Sequence, residues 1–431
     1  MKSLYVVIMS VIVLTLTQIS AFAEWETVDS GVTDDLYGVF FINENLGFAT
    51  GWRNNGPGGV ILKTTNSGDN WTSSMPVPGS YIFGVSFTSD SKGFVAGSDA
   101  GNTFNAMILT TTDSGEEWSM SLFPSSYGFY LVDFPVRSVG YACGYLGIMK
   151  KTTNGGDTWT SISSGTSEVI RLMYFVDENI GYIVSGVNYY SPNKVRKTTD
   201  GGDSWSLVHD FGGSMGIGGI YFQDADRGVI AGNNGSEVVL KTTDGGNTWE
   251  TTHTGPSSGA VQSLHFKENS GWAVGNSGRI LHTTDYGDTW ELDATVTPSS
   301  TTLLAVFQVQ QTVYATGSSG RMFKKDLDGI GIEEPEHASV SPVLHQNHPN
   351  PFYTRTAISF SLADAERVHL SIYNTTGELV KSLAHDLFRA GDHEVSWDGS
   401  NEIGQRVAPG VYFYRIVTDR IDQSKCMVIL K

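Results

Sequence analysis

Six copies of one eight-residue pattern, Thr-x-Asp/Asn-x-Gly-x-x-Trp, constrain the fold of this 431-residue chain more than any other feature. The copies end at Trp71, Trp118, Trp159, Trp205, Trp249 and Trp290, so successive copies lie 47, 41, 46, 44 and 41 residues apart. A period in the low forties that is rich in Gly, β-branched and aromatic residues indicates one small sheet per repeat. Such a sheet buries both faces only when neighbouring repeats stack against it. The sequence therefore predicts an all-β repeat protein.

Each repeat alternates apolar and polar residues between Gly-rich and Asp-rich turns, which is typical of strands. In the acidic turn of the motif, Asp or Asn accepts hydrogen bonds from nearby backbone, Gly adopts a positive φ, and Trp covers the turn. We interpret these residues as scaffold, because catalysis needs one constellation and not six copies. The scaffold set is Asn66 and Trp71, Asp113 and Trp118, Asn154 and Trp159, Asp200 and Trp205, Asp244 and Trp249, and Asp285 and Trp290.

The chain continues beyond the sixth motif with three more strand patterns, at residues 303–307, 313–317 and 321–325, and no motif Trp follows them. Near the start of the chain, Trp25 opens a strand pattern that has no partner. We therefore expect a seven-bladed β-propeller whose last blade combines three C-terminal strands with one N-terminal strand. This closure leaves no open sheet edge between the last blade and the first.

The motif is identified as the Asp-box, or BNR repeat. The fuller unit from Gly271 to Trp290 resembles the photosystem II assembly and stability factor family of seven-bladed propellers. The resemblance spans residues 24–329, and the repeats are similar, more distantly, to those of sortilin ectodomains, sialidases and oligoxyloglucan-cleaving hydrolases. It implies the propeller fold but no activity, since one fold hosts many unrelated functions.

Residues 1–23 have the pattern of a signal peptide, with an apolar run from Leu4 to Leu16 and Ala21-Phe22-Ala23 before Glu24. The run is too short to span a membrane, so we expect no transmembrane anchor. Removing residues 1–23 takes one Lys and no acid, which leaves 26 basic and 45 acidic residues, a net charge of 26 − 45 = −19. That charge disfavours binding to nucleic acid.

Beyond the propeller, residues 330–346 are interpreted as a linker and residues 347–431 as a small Ig-like antiparallel β-sandwich. The segments His348-Pro349-Asn350-Pro351-Phe352, Trp397-Asp398-Gly399 and residues 410–414 resemble the C-terminal sorting domain of type IX secretion cargo. The resemblance implies a type IX translocon and a sorting protease as partners. It also implies a protein that is secreted or held on the outer surface of a Gram-negative bacterium.

Candidate ligand-binding residues come from the loops between the second and third strands of each blade. These loops are short in blades 3, 6 and 7 and long in blades 1, 2 and 4. Because binding groups are commonly carried on loops over a rigid scaffold, we predict that Trp52, Arg53, Tyr189 and Tyr190 line a peptide or glycan site. The alternative is that Trp52 and Tyr190 only cap the central channel.

We predict no catalytic residue, no cofactor and no metal site. Asp224 to Gly228 has the composition of a calcium loop, but equivalent residues in other blades favour a plain turn. Cys143 is expected to be a buried small hydrophobe, unpaired with Cys426.

The functional prediction is a secreted or cell-surface binding or adhesion module without catalysis. The alternative is a secreted carbohydrate-active hydrolase. The Arg-Ile-Pro segment of sialidases is absent, and oligoxyloglucan hydrolases hold two catalytic Asp between two propellers, whereas this chain has one propeller.

Overall fold

The structure of the chain is a computed structural model. It describes residues 24–52, 58–74, 79–99, 105–124, 127–187, 192–213, 215–327, 343–362, 366–388, 391–401, 405–418 and 420–430. The chain divides into two compact units, Met1–Gly331 and Ile332–Lys431. No helix within these described ranges is long and apolar enough to cross a membrane.

The first unit contains seven four-stranded antiparallel sheets, called blades 1 to 7 in chain order of their first strands. Strand β1 (Glu26–Asp29) belongs to blade 7. Blades 1 and 2 consist of β2 (Asp35–Phe41), β3 (Gly47–Trp52), β4 (Gly59–Thr64), β5 (Thr72–Ser74), β6 (Ser80–Phe87), β7 (Gly93–Asp99), β8 (Ala106–Thr111) and β9 (Ser119–Phe123). Blades 3 and 4 consist of β10 (Phe129–Val136), β11 (Val139–Gly144), β12 (Met149–Thr152), β13 (Thr160–Ser161), β14 (Val169–Phe175), β15 (Gly181–Gly186), β16 (Lys194–Thr198) and β17 (Ser206–Asp210).

Blades 5, 6 and 7 complete the unit with β18 (Gly216–Phe222), β19 (Gly228–Asn233), β20 (Glu237–Thr242), β21 (Glu250–Thr254), β22 (Val261–Lys267), β23 (Ser270–Gly275), β24 (Arg279–Thr283), β25 (Glu291–Thr295), β26 (Leu303–Val309), β27 (Thr312–Gly317) and β28 (Arg321–Asp326). The first strand of each blade contacts the first strand of the next, and β26 of blade 7 contacts β2 of blade 1. The N-terminal β1 pairs antiparallel with β28, with Glu26 opposite Lys324 and Asp29 opposite Arg321. The predicted all-β propeller fold is confirmed.

The acidic turns share one hydrogen-bond network whose centre is the motif Thr. In all six copies the Thr Oγ1 donates to the Asp or Asn Oδ1 at 2.7–3.0 Å and accepts the N–H of the motif Gly at 2.9–3.1 Å. The same Oδ1 accepts the N–H four residues later at 2.9–3.0 Å. Each motif Gly has a φ between +76° and +91°, where other residues are strained. The turn therefore satisfies its own backbone within eight residues.

Each motif Trp packs edge-on against an aromatic side chain near the end of the first strand of its own blade. The six pairs have ring centroids 5.8–6.2 Å apart and interplanar angles of 79–88°. They are Phe41 and Trp71, Phe87 and Trp118, Phe134 and Trp159, Phe175 and Trp205, Phe222 and Trp249, and Phe266 and Trp290. Edge-on packing is a preferred geometry of aromatic pairs, so the Trp holds the acidic turn against the first strand of its blade, called the inner strand below.

In blade 7, Trp25 precedes β1 and packs edge-on against Trp272 of blade 6, with centroids 5.7 Å apart. Its indole Nε1 donates to Asp293 Oδ2 at 2.7 Å. Motif residues Trp118 and Trp159 have an equivalent contact with Phe48 and Phe94 of the preceding blades. Trp25 therefore makes the same contact with the preceding blade that these motif Trp residues make.

Ion pairs link neighbouring blades at the end of the propeller where the acidic turns lie. In each, a Lys of one blade reaches the acid that follows the motif Gly in the next blade. The pairs are Lys63–Glu116, Lys92–Asp157, Lys151–Asp203, Lys241–Asp288 and Lys324–Asp69, at 2.5–3.5 Å. The carboxylates are largely exposed, so each pair contributes at most about 1 kcal/mol. The sequence reading did not identify these pairs.

The second unit is a two-sheet β-sandwich. Its strands are β29 (Val343–Leu344), β30 (Thr356–Leu362), β31 (Glu366–Tyr373), β32 (Leu379–Phe388), β33 (Gly391–Trp397), β34 (Gly410–Val417) and β35 (Asp422–Ile429). The sheets have the orders β29-β30-β33 and β32-β31-β34-β35 and enclose one apolar core that contains Phe360, Trp397 and Tyr414. Strand β29 lies inside the predicted linker of residues 330–346, because a two-residue strand has no alternation for a sequence pattern to reveal.

Other sequence predictions concern single turns and residues. The short loops of blades 3, 6 and 7 are single 3₁₀ turns at Tyr145–Gly147, Asn276–Gly278 and Ser318–Gly320. Cys143 is buried, Cys426 is exposed, and both are free thiols. The predicted signal peptide, residues 1–23, lies outside the described residues.

Candidate functional site

A register shift near the start of every first strand inserts an extra residue at one end of the propeller. The shifts lie between Leu36 and Gly38, Ile82 and Val85, Phe129 and Leu131, Ile170 and Leu172, Ile217 and Gly219, Val261 and Ser263, and Leu303 and Ala305. A bulge of this kind re-aims a side chain, and bulges are common beside binding sites. The inserted residues, called the mouth ring, are Tyr37, Phe83, Tyr130, Arg171, Gly218, Gln262 and Leu304.

Contacts within the mouth ring run around the central axis. Tyr37 and Phe83 have centroids 5.9 Å apart, and Phe83 and Tyr130 are 4.9 Å apart. Arg171 Nη2 of blade 4 donates to Gln262 Oε1 of blade 6 at 3.0 Å, which bypasses blade 5. The intervening mouth-ring residue is Gly218, whose missing side chain leaves room for this bond. One side of the ring is thus aromatic and the other carries hydrogen-bonding groups.

Trp52, the last residue of β3, extends the aromatic side. It stacks on Tyr37 with centroids 6.2 Å apart and packs edge-on against Tyr81 at 5.1 Å. Five half-buried rings from blades 1 to 3 form this aromatic cluster, namely Tyr37, Trp52, Tyr81, Phe83 and Tyr130. The indole Nε1 of Trp52 is buried and has no hydrogen-bond partner among the described residues. A buried donor without a partner is unfavourable unless a ligand or water accepts from it.

Of the predicted site residues, the structure places Trp52 in this cluster, while Arg53, Tyr189 and Tyr190 lie outside the described residues. Sequence reasoning missed Tyr37, Tyr81, Phe83 and Tyr130. The signal for them was an aromatic residue at the start of each of the first three inner strands. The alternation pattern of a strand does not reveal a bulge, so only the long loops were predicted as binding elements.

A charged cluster lies in blade 4, at the end of β15 and the start of β16. Glu168 accepts hydrogen bonds from Lys194 Nζ and from Ser185 Oγ, and Arg196 Nη1 lies 3.7 Å from its carboxylate. Burial acts to raise the pKa of Glu168, but the bonds from Lys194 and Ser185 outweigh it, so the pKa lies below its ordinary value. Glu168 is therefore a paired, ionised carboxylate.

A second charged cluster joins blades 5 and 6 at the same end. Glu237 is 1% exposed, and its carboxylate accepts two hydrogen bonds from Arg279 at 2.8 and 2.9 Å. His253 Nε2 lies 3.2 Å from the same carboxylate. Burial opposes ionisation, but hydrogen bonds from His253 and Arg279 hold the pKa of Glu237 below its usual range. Neither Glu168 nor Glu237 is suited to donate a proton.

One carboxyl group of the described residues has a raised pKa. Burial raises the pKa of Asp133, in the middle of β10, to about 6. Burial also lowers the pKa of His265, on β22, to about 4, so that its imidazole is neutral at pH 7. A glycosidase uses two carboxyl groups flanking the scissile bond, one of which must be protonated. Asp133 alone does not supply such a pair.

The turn considered for calcium is organised by its own hydrogen bonds. Asp224 Oδ1 accepts the N–H groups of Asp226 and Arg227 at 2.9 and 2.8 Å, and Oδ2 pairs with the Arg227 guanidinium. Across the described part of the chain, no group of three or more His, Cys, Asp or Glu residues has the arrangement of a metal site. These oxygens serve the turn.

Comparison with protein families matches two separate parts of the chain. The model described as Photosynthesis system II assembly factor YCF48 matches residues 208–296, within blades 4 to 6. The model described as FlgD Ig-like domain matches residues 353–421 of the sandwich. The chain matches no curated protein by sequence.

Solved structures are similar to the chain in fold. YCF48 bound to a D1 peptide has 19% identity and a TM-score of 0.57, covering 70% of this chain and 96% of that one. YCF48 from Cyanidioschyzon merolae has 20% identity and a TM-score of 0.55, covering 70% and 99%. The GH74 xyloglucanase from Xanthomonas campestris has 11% identity and a TM-score of 0.55, covering 94% and 75%. At these identities the similarity establishes the fold alone.

Proposed function

We propose that this protein is a secreted or cell-surface binding module, whose ligand occupies the mouth ring and the aromatic cluster. The observation that carries the proposal is the group of five half-buried rings converging on one end of the propeller. Ligand sites are mostly apolar and aromatic, with a few convergent polar groups that fix orientation. The Nε1 of Trp52, which has no partner among the described residues, and the polar side of the mouth ring supply such groups.

The ligand class we propose is a segment of a peptide or glycan. Both combine apolar faces, which the aromatic cluster covers, with hydrogen-bonding groups. On the polar side, Gln262 accepts from Arg171 and donates to Asn276 Oδ1 at 3.3 Å, so its orientation is fixed from both ends. Among proteins of similar fold, YCF48 has been solved bound to a D1 peptide. Its photosystem role is not part of the proposal.

Screening the whole protein against a glycan array and a peptide array tests this proposal. We expect saturable binding to one class, which is lost when Trp52 and Tyr81 are both replaced by Ala. Binding that persists in the double variant would move the site elsewhere.

A secreted carbohydrate-active hydrolase is the second candidate, because the GH74 xyloglucanase has a similar fold and because burial raises the pKa of Asp133. Glycan turnover that is lost in Asp133→Asn with retained binding would establish it. If the wild type and the variant both bind glycan and neither forms product, the protein is a non-catalytic binding module.

For export, we propose removal of residues 1–23 and recognition of the C-terminal sandwich by a type IX translocon, with a sorting protease as second partner. Support comes from the signal-peptide pattern and the sorting-domain resemblance of residues 345–431. Mass spectrometry of protein released from intact cells should find a C terminus between Asp326 and His348. Surface-exposed protein that retains Lys431 would argue against removal.

A further inference from the structure

A second cleft opens at the same end of the propeller, between blades 2 and 3, away from the central axis. Its volume is about 330 Å³, at the small end of the range for ligand pockets. Phe123, Phe129 and Ile148 supply apolar wall, and Lys150, Ser161 and Ser163 supply polar atoms. No residue of the mouth ring or aromatic cluster lines it.

Lys150 is the unusual residue of this cleft. Its Nζ donates to Ser161 Oγ at 2.8 Å and lies 5.1 Å from the centroid of the Phe123 ring. No carboxylate oxygen of the described residues lies within 4.0 Å of it. The next residue, Lys151, pairs instead with Asp203 and Gly201 of blade 4. In a chain with a net charge of −18, Lys150 is thus a half-buried cation without an acid partner in the described part of the chain.

Ser161 and Ser163 add two neutral hydrogen-bond donors to the Lys150 ammonium. Ser161 Oγ accepts from Lys150, and Ser163 Oγ accepts the N–H of Gly165 at 3.3 Å. A hydroxyl has one hydrogen to donate besides its acceptor sites, so each retains an O–H for a ligand. Three donors, one of them charged, therefore face a space with an apolar wall.

We propose that this cleft binds a small organic carboxylate with an apolar body. The single ammonium matches a monoanion, and charge-assisted hydrogen bonds are the strong ones. The aromatic wall accommodates the body. Taking the ~30 Å³ share of a water molecule per heavy atom, the cleft holds about ten heavy atoms.

Phenylacetate and phenylacetamide test the charge requirement, because both have the same shape and size. By titration calorimetry, the full chain should bind phenylacetate about ten-fold more tightly than the amide, as expected for a hydrogen bond to a charged group. Lys150→Gln should abolish this preference, and Lys150→Arg should keep it. Lys63→Gln, which removes a lysine at the opposite end of the propeller, should leave it intact.

Equal affinity for both probes, or an unchanged preference in Lys150→Gln, would overturn the proposal. Ser163→Ala removes one donor without changing charge and should weaken phenylacetate binding several-fold. Trp52→Ala should not change phenylacetate affinity, so this cleft and the mouth ring succeed or fail separately.

Discussion

The phenol of Tyr314 in blade 7 donates a hydrogen bond to the carbonyl oxygen of Ser67 in the acidic turn of blade 1, at 2.8 Å. Tyr141 of blade 3 has the same relationship with Gly201 in the acidic turn of blade 4, at 2.7 Å. In both tyrosines burial raises the pKa of the phenol, which keeps it a donor. The last and first blades are therefore joined by the same contact as two consecutive blades.

Replacing Tyr314 by Phe should destabilise the protein at least as much as replacing Tyr141 by Phe. Each change removes one hydroxyl, but the carbonyl of Gly201 still accepts from Lys151 Nζ at 2.6 Å, whereas that of Ser67 is left to find water. The free energy of unfolding should therefore fall by about 1 kcal/mol in Tyr314→Phe and by no more than that in Tyr141→Phe. Denaturant unfolding of the two variants measures it. A neutral Tyr314→Phe beside a destabilising Tyr141→Phe would mean that the contact between blades 7 and 1 does not form in solution.

Deleting residues 25–30 should open the propeller, because it removes β1 and the Trp25 contacts with Trp272 and Asp293. The edge of β28 would then face solvent, and exposed edges promote association. We expect a lower melting temperature and concentration-dependent association in light scattering. An unchanged melting temperature would show that β1 does not close the ring; Glu24→Ala, which leaves β1 whole, is the control.

The hydroxyl of the motif Thr should contribute measurably to the stability of the protein. Thr152→Val leaves the N–H of Gly156 and the Oδ1 of Asn154 without their shared partner, which should cost about 1–3 kcal/mol of unfolding free energy. Thr152→Ser retains the hydroxyl and should cost less. Equal stability of the Val and Ser variants would contradict the central place of this hydroxyl in the turn.

Acid should weaken the turns of blades 4 and 5. Hydrogen bonds from Ser204 hold the pKa of Asp200 at about 2, and those from Thr248 hold the pKa of Asp244 at about 2. Because these folded-state values lie below the ordinary 3.8, the stability they contribute is present above about pH 4 and is lost as the pH falls towards 2. Melting temperatures between pH 5 and 2 should fall less steeply in Asp200→Asn/Asp244→Asn.

Asn is a fair replacement in that experiment, because Asn66 and Asn154 occupy the same position in blades 1 and 3. The variant should therefore fold. An identical pH slope in the wild type and the variant would show that these carboxylates do not carry the acid sensitivity.

The fold could be predicted because the interactions that form each acidic turn are between residues close in sequence. The network from Thr242 to Asp244 and Gly246 lies within five residues, and six repetitions set the period. Contacts between blades were harder to predict from the sequence. The pairing of Lys324 with Asp69, for example, joins residues 255 apart and depends on ring closure.

The candidate site was only partly predictable. Trp52 stood out because it begins a long loop, whereas Tyr37 and Phe83 reach the mouth through bulges. A bulge depends on the packing of adjacent strands and not on a local residue pattern. Gly38, for example, lies against Thr50 of β3 in its own blade and against the Phe83 carbonyl of the next blade. Lys150 could not be predicted from the sequence, because the absence of an acid near it among the described residues depends on which side chains lie close in three dimensions.

The most direct test of the binding proposal compares two double variants on the glycan and peptide arrays and then by biolayer interferometry with the ligand found. Trp52→Ala/Tyr81→Ala removes two rings of the aromatic cluster. Leu207→Ala/Leu292→Ala removes two exposed apolar side chains elsewhere on the propeller. We predict that the control pair binds like the wild type and that the first pair loses at least about ten-fold in affinity, as for central aromatic contacts in other interfaces. Equal affinity of all three proteins would contradict the proposed site.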